Sequence, residues 1–196
     1  FAAHVDYRKK EAEIAQQFAN SEVDLILGGG KKFWPDSLIK IFEGNGGKYI
    51  TNLNSKVQNN KRILGLFSEG GLPKVHEGRN PTTTQMAKYA LNYLEKSRNG
   101  FFVMIEESQV DWGGHSNSAE YIQGEMKSLN DLINFALDYQ EKHPKVLVVL
   151  TADHECGGVA VHDGKDGDLD IRFTSDYHSA NFVPIWATGP GAEVFD

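Results

Sequence analysis

Three short stretches gather carboxylates and imidazoles at spacings that suit metal binding. In Asp111-Trp-Gly-Gly-His115 an acid and a histidine stand four apart. On a helix they would share a face, although two successive glycines favour a tight turn there. Either way both side chains can reach one ion. Asp153-His154 are adjacent, so they diverge on regular structure but can converge at a strand end. Asp176 and His178 precede the last strand-like run. Oxygen and imidazole donors without a thiolate suit Zn²⁺, with Mn²⁺ and Fe also open. His115 or His154 alone fits a helix cap or the surface. Grouped at consecutive strand ends, they point to a metal centre.

Other chemistry is weaker. Gly28-Gly29-Gly30-Lys31-Lys32 lacks the Walker spacing and the Ser/Thr after Lys, so it reads as a strand-to-helix turn. Cys156 lies beside the expected centre and reads as a packed, inert thiol. His4, His76, His143 and His162 have no acid-plus-histidine company and read as surface residues. Spacing alone leaves Arg8 a solvated arginine.

The elements that would position these residues alternate. Helices are expected over Lys9–Asn20, Ser37–Phe42, Pro81–Ser97 and Ser118–His143. Strands are expected over Val23–Leu27, Lys48–Thr51, Arg62–Phe67, Phe101–Ile105, Val146–Leu150 and Val183–Thr188. In the long helix Asn117 is the expected N-cap, with Glu120 completing a capping box. Ile122, Met126, Leu129, Ile133, Ala136 and Leu137 form its expected inner face. Asp163–Asp170 reads as one exposed loop. Apolar strands separated by helices predict an α/β fold, with helices on both faces of a mostly parallel sheet. In such sheets chemistry sits beyond the carboxyl ends of strands, where Glu106, Asp111, His115, Asp153 and His154 fall.

Composition narrows the function. The chain has 196 residues, 40% hydrophobic and 24% charged, which suits a single globular domain over 1–196. Its net charge of −7 argues against nucleic-acid binding. If the substrate is an anion, bound metal ions are the natural attractors. One cysteine allows no internal disulfide. No apolar stretch is long enough to cross a bilayer, and the first residues do not form a signal peptide.

At Glu106-Glu-Ser-Gln-Val-Asp-Trp-Gly-Gly-His115 the chain resembles alkaline phosphatases. Thr151-Ala-Asp-His-Glu-Cys-Gly-Gly158 is similar to that family's Thr-Ala-Asp-His-Glu-Thr-Gly-Gly signature. His178-Ser-Ala-Asn-Phe-Val-Pro-Ile-Trp-Ala-Thr-Gly-Pro-Gly-Ala192 resembles its third metal segment. Upstream, Ala3-His-Val-Asp-Tyr-Arg8, Leu25–Gly30 and Pro81–Met86 follow in the family's order. The resemblance implies a three-layer α/β/α sandwich, here incomplete. It implies phosphate-monoester hydrolysis with two Zn²⁺ and one Mg²⁺ through a phosphoserine intermediate. Asp111, His115 and His178 would bind the first zinc, and Asp153 and His154 the second. Glu106 would bind Mg²⁺, and Arg8 would clamp the substrate phosphate or inorganic phosphate.

Six positive charges on these ions would roughly offset the net −7. The resemblance further implies a homodimer and a periplasmic or secreted location for the intact enzyme. The family's nucleophilic serine, the aspartate shared between metals and two further Mg²⁺ ligands find no match here. The chain thus resembles a central and C-terminal portion, with both ends looking cut and no activity expected alone. The interval between His154 and His178 is short for the family. A related phosphodiesterase, sulfatase or phosphomutase shares part of the ligand set. A non-catalytic metal-binding module is the reading from a different class.

Overall fold

A computed structural model describes residues 2–55 and 61–195. The chain divides into two compact units, Phe1–Pro73 with Gly78–Val103, and Lys74–Glu77 with Met104–Asp196.

The first unit is an α/β layer built where the apolar periodicity predicts it. Helix α1 (Glu11–Asn20) buries Ala15 and Ala19. Strand β1 (Leu25–Gly28) follows, then α2 (Asp36–Gly44), β2 (Gly47–Ile50) and β3 (Arg62–Leu66). The three strands form one parallel sheet in the order β1-β3-β2. Leu25 is opposite Ile63, and Gly47 is opposite Arg62. The central strand is therefore third in sequence, and its Ile63 and Leu64 are almost wholly buried. Ala15, Ala19, Trp34, Leu38, Ile39, Phe42, Leu64 and Leu66 form the core cluster. Helix α3 (Thr83–Leu94) starts after the expected Pro81. Thr82 caps it, accepting from Gln85 N while Thr82 N donates to Gln85 Oε1. That reciprocal pair satisfies two otherwise orphaned N–H groups and sets the start.

The second unit carries the acid and histidine segments. Helices α4 (Gln109–His115) and α5 (Ala119–Lys142) are followed by β4 (Val148–Thr151), β5 (Glu155–Cys156), β6 (Ala160–Asp163), β7 (Leu169–Arg172), β8 (His178–Ser179) and β9 (Ile185–Thr188). Its strands form antiparallel pairs: β4 with β9, β5 with β8 and β6 with β7.

Several expectations change here. Phe101–Ile105 forms no strand; no strand among the described residues pairs with it, and Phe102 and Met104 are exposed. Apolar sequence permits a strand, but only a neighbouring backbone completes one. The strand expected over Val146–Leu150 instead runs over Val148–Thr151 and is not fully buried, since Val149 is exposed and its partner β9 exposes Ile185 and Trp186. Asp163–Asp170 is the tip of the β6–β7 hairpin, with both flanks in the ladder. Ser118, not Asn117, caps α5 by accepting from Tyr121 N. Asn117 instead makes the turn into α5 with φ of 46°, a left-handed conformation that asparagine tolerates.

The inner face of α5 is also rotated from the expected one. Tyr121, Ile122, Glu125, Ser128 and Leu132 are buried, while Met126 and Leu137 are exposed. Hydrogen bonding explains the difference. Glu125 accepts from Val75 N at 3.0 Å, and Ser128 donates to Glu107 at 2.6 Å. Polar groups with fixed partners can turn inward, which an apolar stripe does not reveal.

Among the described residues, no helix is long and apolar enough to cross a membrane.

Candidate metal centre

Asp111 and His115 share one face of α4, so the expected tight turn is instead a helix. The glycines between them serve close approach. A Cβ on Gly113 would come within 3.0 Å of the Ile122 backbone, and one on Gly114 within 2.7 Å of Cys156 O. Helix α4 thus lies against α5 on one side and β5 on the other. Tyr121 Oη fixes the contact with α5 by donating to Gln109 Oε1 at 2.7 Å.

His178 comes from the opposite direction on β8, paired across the ladder with Cys156. The preceding loop is tied to β5, since Gly157 N donates to Tyr177 O and Ser175 N donates to Gly157 O. The Asn117 amide, with its nitrogen turned inward, donates to both Gly114 O and Ser175 O. Tyr177 stacks on His178. These bonds hold the end of α4 and the His178 loop in one arrangement.

The donor atoms converge. Nε2 of His115 and Nε2 of His178 are 3.2 Å apart. Asp111 Oδ1 is 3.3 Å from the His178 nitrogen and 3.5 Å from that of His115. A tetrahedral ion with bonds of about 2.0–2.1 Å spaces its donors by about 3.3–3.4 Å, so these separations match the edges of one coordination shell. Asp111 Oδ1 is also buried without a hydrogen-bond partner. An orphaned carboxylate oxygen facing two imidazole nitrogens fits a divalent cation. His115 Nδ1 lies 2.7 Å from Asp176 O. With its proton on that nitrogen, Nε2 keeps its lone pair for an ion.

The fourth member is one that sequence reasoning set aside. Asp111, His115, Cys156 and His178 each offer a donor atom, all within 4.8 Å of one another. Cys156 was legible as a neighbour of the site but not as part of it. Its thiol is pushed up to about 12, chiefly by burial and also by its hydrogen bond to Asp111 and that residue's charge.

The remaining expected residues are less closely joined. His154 stacks on His178 with ring centroids 3.5 Å apart, and its Nε2 is 3.2 Å from Asp153 Oδ2. His154 Nδ1 is buried without a hydrogen-bond partner. Asp153 is exposed, as are Glu106 and, in the first unit, Arg8. Trp112, between Asp111 and the two glycines, is also exposed.

A family model described as alkaline phosphatase matches residues 2–194. Alkaline phosphatase 3 of Bacillus subtilis is 35% identical over 179 residues, covering 85% of this chain and 38% of that protein. Alkaline phosphatase 4 of the same organism is 31% identical, with 86% and 39% covered. Among solved structures, alkaline phosphatase from the Antarctic bacterium TAB5 superposes with a TM-score of 0.89 at 31% identity, covering all of this chain and 62% of that one. A variant of the TAB5 enzyme, solved with Mg bound in its M3 site, matches with a TM-score of 0.88. The chain therefore spans well under half the length of the Bacillus relatives it matches.

Proposed function

Since the chain belongs to the alkaline phosphatase family, we propose that it supplies the metal-binding part of a phosphate-monoester hydrolase. The two units are read as parts of one larger phosphatase domain. The observation that carries the proposal is the convergence of Asp111, His115 and His178, with donor separations of 3.2–3.5 Å. These three hold the first Zn²⁺. Asp153 and His154 contribute to the second, and Glu106 to a Mg²⁺. Two zinc ions, when bound, would supply Lewis-acid stabilisation for in-line displacement at phosphorus.

The chain's own residues set up that chemistry. Asp176 O orients His115 so that its free nitrogen faces inward. Asp111 brings a negative charge that offsets part of an ion's charge. Arg8 offers a planar fork that suits two phosphate oxygens and fixes the ester's orientation. A phosphoserine intermediate belongs to this reading, yet its serine has no counterpart among the residues of this chain. Alone, then, the chain binds metal without parent-like turnover. A homodimer and a location outside the cytoplasm for the intact enzyme belong to the same reading.

Zinc analysis of the purified chain, beside His178→Ala, tests the centre. The variant should bind zinc more weakly by more than the 10–100-fold typical of an outer-shell change, because it removes a direct ligand. An unchanged zinc affinity would refute the ligand assignment. Assay with p-nitrophenyl phosphate at alkaline pH, with added zinc and magnesium, tests the second element. Turnover comparable with a full-length relative would show that the chain holds a nucleophile of its own.

A further inference from the structure

Building on the metal-centre reading above, we propose that Cys156 is a fourth protein ligand of the ion held by Asp111, His115 and His178. The backbone directs the sulfur there. Cys156 and His178 are directly opposite each other in the β5–β8 pair, and opposed residues of an antiparallel pair project to the same face. On the other side, a Cβ placed on Gly114 would lie 3.1 Å from Cys156 Cβ. The cysteine is thus enclosed between the helix bearing Asp111 and His115 and the strand bearing His178.

Distances agree with this role. With Zn–S near 2.3 Å and Zn–N or Zn–O near 2.0–2.1 Å, sulfur should lie about 3.5 Å from the other donors. All four donor atoms already lie within 4.8 Å of one another. At most about 1.3 Å of closure (4.8 less 3.5) is needed, a distance that side-chain rotation can supply.

The chemistry agrees too. The family signature that this segment resembles carries threonine where this chain has Cys156. A hydroxyl is a poor zinc donor, whereas a thiolate is among its strongest. On binding, Zn²⁺ accepts a sulfur lone pair, and the thiol proton passes to solvent. The resulting Asp, two His and Cys set can still expand to five-coordination when an oxygen ligand arrives, as catalytic zinc sites do.

The test is X-ray absorption at the zinc edge on the purified chain loaded with one equivalent of Zn²⁺. A sulfur shell at about 2.3 Å is expected, together with a thiolate-to-metal charge-transfer band when Co²⁺ replaces zinc. Both should vanish in Cys156→Ser. Zinc affinity should then fall by more than the 10–100-fold typical of losing an outer-shell contact. Zinc bound through nitrogen and oxygen alone in the unaltered chain would overturn the role of Cys156 and leave the centre standing. Failure of the unaltered chain to bind zinc would overturn the centre as well. The absorption spectrum needs no variant, so a folding defect in Cys156→Ser would not obscure the answer.

Discussion

Replacing Gly114 with alanine separates helix formation from site assembly. Position 114 lies inside α4, where alanine is favoured over glycine by up to about 1 kcal/mol. Against that gain, the new methyl would lie 2.7 Å from Cys156 O and 3.0 Å from its carbonyl carbon. Those are backbone atoms of a strand paired on its other side with β8, so they cannot swing aside. Overpacking of this kind costs about 1–3 kcal/mol. The net effect is a loss of roughly 0–2 kcal/mol. That corresponds to a fall in Tm of up to about 8 °C for a chain of this size.

Metal binding should suffer more than stability. Restoring an ordinary contact of 3.4 Å from 2.7 Å moves α4 back by about 0.7 Å. That displacement separates Asp111 and His115 from His178, whereas metal–ligand distances tolerate only about 0.2 Å. Gly124→Ala in α5 is the control, because its nearest neighbour would be Val75 Cβ at 3.6 Å. It should raise Tm by about 2–4 °C and leave zinc affinity unchanged. Thermal unfolding followed by circular dichroism, and zinc competition against a chromophoric chelator, read the two effects. If Gly114→Ala stabilises the chain like Gly124→Ala and keeps its zinc affinity, close approach of α4 to β5 does not set the donor spacing.

Two further outcomes are expected. Glu125→Ala removes the acceptor of Val75 N–H from a fully buried position, which should cost about 1–3 kcal/mol; Glu125→Gln should recover most of the Tm, and equal Tm values for all three proteins would contradict the assigned bond. Arg8→Lys, in a protein of the relatives' full length, should weaken inhibition by inorganic phosphate without changing metal content, because lysine cannot form the bidentate contact. An unaltered inhibition constant would identify Arg8 as a solvated side chain.

The sequence by itself determined the family and most of the elements that carry the site. Its three acid-and-histidine segments pointed to a metal centre, because donor type and strand-end position are local properties of the chain; the grouping of Asp111, His115 and His178 on one ion came only from the resemblance to alkaline phosphatases. It also determined the strands and helices of the first unit, which follow from apolar periodicity, whereas their order β1-β3-β2 is a long-range pairing that periodicity does not encode. Tertiary structure decided what local pattern leaves open. Asp111 and His115 became helical because Gly113 and Gly114 fit against Ile122 and Cys156, and an isolated pair of glycines favours a turn. The inner face of α5 turned toward Glu125 and Ser128 because Val75 N and Glu107 supply their hydrogen bonds. Phe101–Ile105 gained no ladder because a strand requires a neighbouring backbone as well as a suitable sequence. Cys156 joined the cluster only through its cross-strand pairing with His178, a contact across 22 positions of the chain that no short motif encodes.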